Sequence, residues 1–191
     1  MRQIVLASAS PRRRALLEQV GVVFSVDPSA LDESFLQGEE PQAAAGRLAL
    51  GKAASVASRH TDALVIGADT VVVAGQVMLG KPASPVEART MLDLLAGREH
   101  RVVTGLALWD TGTGDYCVDW EESRVWMRPF SAAERDRYVA TGEPLGKAGG
   151  YAIQGKGALL VERLEGCYSN VVGLPLVRLA AMLKGFGVIL L

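Results

Sequence analysis

Several residues in this chain stand where local structural rules would not put them, and each is of a type that handles phosphate. The first group is Ser10-Pro11-Arg12-Arg13-Arg14. Serine followed by proline reads as the cap and first position of a helix. The N–H groups exposed there carry partial positive charge, so acids are favoured in the first turn and a base costs about 0.3–1 kcal/mol. The chain contains its own control: Ser84-Pro85-Val86-Glu87 has the same cap and proline followed by the favoured glutamate. Three arginines in the disfavoured turn, beside Ser8, Ser10 and open N–H groups, form a cradle for a polyanion. The alternative is a surface helix whose arginines point to water.

The second group is Asp69-Thr70, set within the otherwise apolar run Leu64-Val-Ile-Gly-Ala-Asp-Thr-Val-Val-Val73. A carboxylate inside such a strand is costly unless it is paired, hydrogen-bonded or bound to metal. Beside a phosphate site it could activate water or hold a divalent cation; otherwise it makes a structural turn or cap. Asp32-Glu33 is a second acidic pair, in a polar loop, and alone it reads as solvated. A cation shared with phosphate oxygens needs about one or two protein carboxylates. Glu33 with Asp69 would supply them if the fold joins them.

Lys52 and Lys81 each end a GxxxxGK string, at Gly46–Lys52 and Gly75–Lys81. Neither is a P-loop, because Ala53 and Pro82 stand where the magnesium-binding hydroxyl belongs, and the first string falls inside an expected helix. Each lysine alone reads as a surface residue, available as a point charge for phosphate. Gly149–Gly157 is glycine-dense and carries one neutral amide, Gln154, which can both donate and accept toward a base edge. Tyr151 and Ile153 within it argue against a flexible loop tip. His60 and His100 lack metal-ligand spacing and read as surface or structural residues. Neither a GxGxxG fingerprint nor a GxSxG elbow occurs.

These residues need elements to hold them. Strands are expected over 4–7, 22–26, 63–74, 77–79, 101–109, 116–127 and 158–164, with a hairpin turn at Gly75-Gln76. Helices are expected over 11–20, 41–58, 85–95, from a Ser131–Glu134 capping box onward, and over 175–184. Residues 145–157 read as irregular. Alternating strands and helices with interspersed hairpins give an α/β fold with a mixed sheet flanked by helices.

The totals bound the function. The chain has 191 residues, 49% hydrophobic and 21% charged, with net charge −1. That fits a soluble globular protein and not a general nucleic-acid binder. Two cysteines without CxxC give neither a disulfide framework nor a zinc site. No stretch reaches the roughly 20 apolar residues of a membrane span, and no signal-peptide h-region occurs, so a cytoplasmic setting is expected.

Taken in order, Leu6-Ala-Ser-Ala-Ser-Pro-Arg-Arg13, Asp32-Glu33, Gly51-Lys52-Ala53, Gly67-Ala-Asp-Thr-Val-Val72, Gly80-Lys-Pro82, Lys147-Ala-Gly-Gly-Tyr-Ala-Ile-Gln-Gly155 and Tyr168-Ser-Asn-Val-Val-Gly-Leu-Pro175 resemble the Maf (septum-formation inhibitor) family across nearly the whole chain. The resemblance implies one domain over 1–191 with two lobes and no separable linker. It implies an elongated, bent mixed sheet similar to that of inosine triphosphate pyrophosphatases, with the site in a central cleft. It implies a pyrophosphatase that cuts a nucleoside triphosphate to NMP and pyrophosphate by metal-assisted water attack on the α-phosphate, with Mg²⁺ or Mn²⁺ as cofactor. Carried over by motif, Asp69, Glu33, Lys52 and Lys81 form the catalytic group, Asp69 as general base and, with Glu33, as metal ligand. Ser8, Arg12, Arg13, Lys52 and Lys81 hold the triphosphate, and Thr70 and Gln154 join Arg12 in base choice. Asp-Thr-Val in the strand and Tyr-x-Ile-Gln-Gly in the loop resemble the dTTP/UTP branch, with modified pyrimidine triphosphates as further candidate substrates, rather than the 7-methyl-GTP branch; a 7-methyl-GTP or general NTP pyrophosphatase stays open as an alternative. The family name also leaves open a nucleotide-binding regulator of cell division that needs no hydrolysis, and a homodimer is allowed by the resemblance. The chain departs at Gly146, where many members have Asp, and at Cys167, where Ser is usual; no metal ligand is assigned at 146.

Overall fold

The structure, a computed structural model, describes residues 2–191. In chain order the elements are β1 (Gln3–Leu6), α1 (Pro11–Gln19), β2 (Ser25–Val26), α2 (Pro41–Ala57), β3 (Ala63–Ala74), β4 (Val77–Leu79), α3 (Pro85–Leu95) and β5 (Glu99–Asp110). Then come β6 (Tyr116–Met127), α4 (Ala132–Ala140), β7 (Val161–Glu165), α5 (Tyr168–Val172) and α6 (Leu176–Gly185). The strands form one sheet in the order β2-β1-β3-β5-β6-β7, with β4 paired to β3. β1 runs parallel to β2 and β3, whereas β3–β4 and β6–β7 are antiparallel. The fold is therefore the expected mixed α/β class. The chain divides into two compact units, one of residues up to Asp69 with Thr104–Glu121 and Gly173–Leu191, the other of Thr70–Val103 with Glu122–Val172.

In the first unit, residues 4–7 and 63–69 are buried throughout, which is why the sequence there is an unbroken apolar run and not an alternation. Helix α2 presents an alanine stripe, Ala45, Ala49 and Ala53, all fully buried. The sheet answers with glycine. A β-carbon at Gly67 would fall 2.1 Å from the Ala49 carbonyl oxygen, and one at Gly105 would fall 2.2 Å from that of Ala45. No side chain fits at either position, so the helix backbone rests directly on β3 and β5. That approach brings Lys52 down toward the strand. Asp69, two residues beyond Gly67, has its side chain on the same face.

Of the strand expected over 22–26 only Ser25–Val26 pairs. The Val22 N–H is bonded to the Leu17 carbonyl at 3.1 Å and closes the end of α1, so it is unavailable to the sheet.

In the second unit, Ala88, Met91, Leu92 and Leu95 form the buried face of α3, as their spacing predicts. Ser131 and Glu134 exchange the two bonds of a capping box at the start of α4. The last strand begins at Val161, not at Ala158; residues 155–160 are a 3₁₀ turn. Within that stretch the Arg128 side chain takes the Leu159 carbonyl, a group a ladder would need. Helix α5 has no counterpart among the expected elements. Its Asn170 is fully buried and donates to the Val102 carbonyl at 3.0 Å and to Ser123 Oγ at 2.9 Å.

Candidate phosphate-handling site

The Lys52 ammonium lies 2.5 Å from Asp69 Oδ1 and 2.7 Å from Glu33 Oε1. Lys52 and Asp69 are each only 4% exposed. Read alone, Lys52 is a surface lysine; the fold buries it, because the glycine positions let α2 settle directly on the sheet. Asp69 meets the condition for a carboxylate inside an apolar strand, since a cation holds it.

The three arginines of α1 do not behave alike. Arg14 is exposed and pairs with Glu18, four residues on, at 2.7 Å. Arg12 is half-buried. Arg13 is buried: its Nε donates to the Gly173 carbonyl at 2.8 Å and its Nη1 to Ser8 Oγ at 3.1 Å. Burial lowers the Arg13 pKa below the ordinary arginine value, the charges of Asp69 and Glu33 oppose that fall, and Arg12 adds to it. Arg13 thus feels both carboxylates that flank Lys52. The reading in which these arginines simply face water holds for Arg14 alone. Ser8 is buried at the end of β1, and its hydroxyl also accepts from the Ser10 N–H at 3.3 Å. Ser10 caps α1 by accepting from the Arg13 N–H.

Glu33 reaches Lys52 because its loop is fastened along α2. Asp27 pairs with Arg59, Ser29 Oγ bonds Ser55 Oγ at 2.8 Å, and Leu31 lies over Gly51, where a β-carbon would meet Leu31 Cδ2 at 2.7 Å. Farther along, Arg47 grips both Glu39 oxygens at 2.7 Å and the Ser34 carbonyl at 3.2 Å. Arg47 was not legible as part of the site. In the sequence Arg47 is one base among several, eight residues from the Glu39-Glu40 pair it could reach.

Thr70, Lys81 and Gln154 belong to the second unit. Thr70 follows Asp69 in β3 and is half-buried; Lys81 is exposed just after β4; Gln154 is exposed at the entry to the 155–160 turn. The Gly149 N–H donates to the Gly80 carbonyl at 3.0 Å, which sets the glycine-rich segment beside the residue preceding Lys81. The histidines are structural, as expected. His60 bonds Asp27 at 2.8 Å. His100 is buried against the Tyr151 hydroxyl at 2.7 Å, and burial pushes its pKa down to about 4.

Among the described residues no group of three or more His, Cys, Asp or Glu could hold a metal, neither cysteine is in a disulfide, and no helix is long and apolar enough to cross a membrane. The donor set that Glu33 and Asp69 provide is two carboxylates converging on one cationic centre. The centre they converge on is the Lys52 ammonium; carboxylate oxygens are also the donor type that a hard divalent ion shared with phosphate takes.

Residues 3–186 match a family described as Maf-like protein. The chain is 52% identical to a protein of Pelotomaculum thermopropionicum named dTTP/UTP pyrophosphatase, with 98% of each chain covered. It is 51% identical to one of the same name from Moorella thermoacetica, over 98% of this chain and 97% of that one. Among solved structures, the Ham1 protein of Staphylococcus aureus is similar at 16% identity with a TM-score of 0.45, covering 66% of this chain and 72% of that one.

Proposed function

We propose that this chain, which belongs to the Maf-like protein family, is a nucleoside triphosphate pyrophosphatase that hydrolyses dTTP and UTP to the monophosphate and pyrophosphate. Relatives half identical over nearly the full length bear that name. The observation that carries the proposal is the buried Lys52 ammonium bridging Glu33 and Asp69, within the field of a buried arginine at a helix start.

The chemistry follows from those groups. Splitting the α–β phosphoanhydride needs a base for the attacking water and cations for the charge that develops on phosphate oxygens. Asp69 takes the proton from water. Lys52 holds Asp69 in place and faces the oxygens that gain charge. Arg13, fixed by Gly173 and Ser8, brings its positive charge to phosphate at the helix start, where Arg12 and the Ser8 hydroxyl add donors. Glu33 and Asp69 would hold Mg²⁺ or Mn²⁺, which when bound neutralises phosphate charge and polarises the P–O bond. The roles of Lys81 with the triphosphate, and of Thr70 and Gln154 with Arg12 in base choice, rest on motif resemblance. Unpaired cysteines and a nucleotide substrate fit a reducing, cytoplasmic setting.

The test is Asp69→Asn, assayed for pyrophosphate release from UTP with Mg²⁺. Activity is expected to fall by at least about 100-fold while the protein remains folded. Full activity in that variant would refute the assignment of the base.

A further inference from the structure

The segment carrying Gln154 is held by two side chains that the reaction does not use. The Glu143 carboxylate accepts from the Lys156 N–H at 3.0 Å and the Gly157 N–H at 2.9 Å. It also accepts from the Tyr138 hydroxyl at 2.9 Å. That hydroxyl in turn accepts from the Ala152 N–H at 3.2 Å, and Tyr138 is 6% exposed. The two ends of the stretch from Ala152 to Gly157 are therefore fastened to one hydrogen-bonded pair, and Gln154 stands exposed between them. The middle of the arch is equally constrained. Gly155 has φ +65, and a β-carbon there would fall 2.7 Å from Glu143 Oε2, so the arch passes directly over the carboxylate. Lys147 is bonded to the Glu143 backbone carbonyl and fixes the turn from which the carboxylate projects.

We infer that Glu143 is a positioning residue for Gln154: with Tyr138 it locks the Ala152–Gly157 arch and so sets pyrimidine selectivity without touching substrate. The inference rests on the reading that Gln154 takes part in base choice. Its chemistry is specific to an amide. A glutamine can turn to offer either its carbonyl or its NH₂ group, and uracil and cytosine present opposite donor and acceptor patterns at positions 3 and 4. Discrimination between them therefore needs the amide held at a fixed place, which the arch provides. Glu143→Gln puts an NH₂ group against a backbone N–H or the Tyr138 hydroxyl, and so unfastens one end while conserving size.

The experiment measures kcat/KM for UTP and CTP in the wild type, Gln154→Ala, Glu143→Gln and the double variant. Glu143→Gln is expected to shrink the UTP:CTP ratio on the order of tenfold, and to have no further effect on that ratio in the Gln154→Ala background. A merely structural role would lower both nucleotides together and leave the ratio intact, which overturns the inference. If Gln154→Ala itself leaves the ratio unchanged, the reading of Gln154 as a base-choice residue fails, and the role given to Glu143 falls with it. If Gln154→Ala shrinks the ratio and Glu143→Gln does not, the role of Glu143 alone is refuted. Should Glu143→Gln not fold, Tyr138→Phe removes the Ala152 acceptor and one Glu143 partner and is expected to shift the ratio the same way, with faster amide exchange at 156 and 157. An unchanged ratio or unchanged exchange in Tyr138→Phe overturns the inference.

Discussion

Replacing Lys52 by Met keeps most of the side-chain volume and removes the ammonium that sits 2.5 Å from Asp69 and 2.7 Å from Glu33. The Lys52 and Asp69 side chains are each 6% exposed, whereas that of Glu33 is 34% exposed. Water can therefore relieve Glu33 but not Asp69. Breaking a buried pair by deleting one partner costs about 3–5 kcal/mol, because the other charge stays buried without compensation. For a chain of this size that is a fall in Tm of about 6–20 °C. Adding Asp69→Asn removes the stranded charge, so the double variant should recover more than half of the lost stability without recovering activity. The assay is urea unfolding of the wild type, the two single variants and the double variant, read as a double-mutant cycle. A cost below about 1 kcal/mol for Lys52→Met, or a double variant no more stable than Lys52→Met, would refute the view that these two charges are a buried, mutually dependent pair.

Arg13→Lys should lower kcat/KM on the order of 100-fold, because an ammonium cannot keep the Gly173 and Ser8 bonds and still face phosphate; steady-state kinetics on UTP checks this, and wild-type kinetics would contradict it. His100 sets part of the acid sensitivity. Its folded pKa is about 4 against 6.5 for the free group, so below pH 6.5 the unfolded chain takes up a proton that the folded chain refuses. Stability is thus complete above pH 6.5 and is lost as pH falls toward 4, by up to about 3 kcal/mol. Unfolding free energies measured from pH 7 to 4 should show a shallower decline in His100→Phe than in the wild type; parallel declines would exclude His100 as the source.

Some of this arrangement can be read directly from residue order. Asp69 announces itself as a charge in an aliphatic strand, and the arginines of α1 as bases at the wrong end of a helix. The bounds of β3, α3 and β6 follow from composition and periodicity. Lys52 does not announce itself, because a lysine in an alanine-rich helix looks solvated until the sheet is close enough to bury it. The clue lay in two distant places, the Ala45-Ala49-Ala53 stripe and the bare positions Gly67 and Gly105, and only the packed structure pairs them. Arg47 and the loop it clamps were hidden for the same reason: a surface pattern of bases and acids does not say which pairs form. The late start of β7 reflects competition from the Arg128 side chain for the Leu159 carbonyl, a tertiary effect that local propensity does not carry.

In the proposed reaction this cluster directs water to the α-phosphate of a pyrimidine nucleoside triphosphate. Hydrolysing UTP in ¹⁸O-labelled water with Mg²⁺ and weighing both products tests it most directly. The label is expected in UMP, with unlabelled pyrophosphate as the second product. Label in pyrophosphate, or release of UDP and inorganic phosphate, would contradict it.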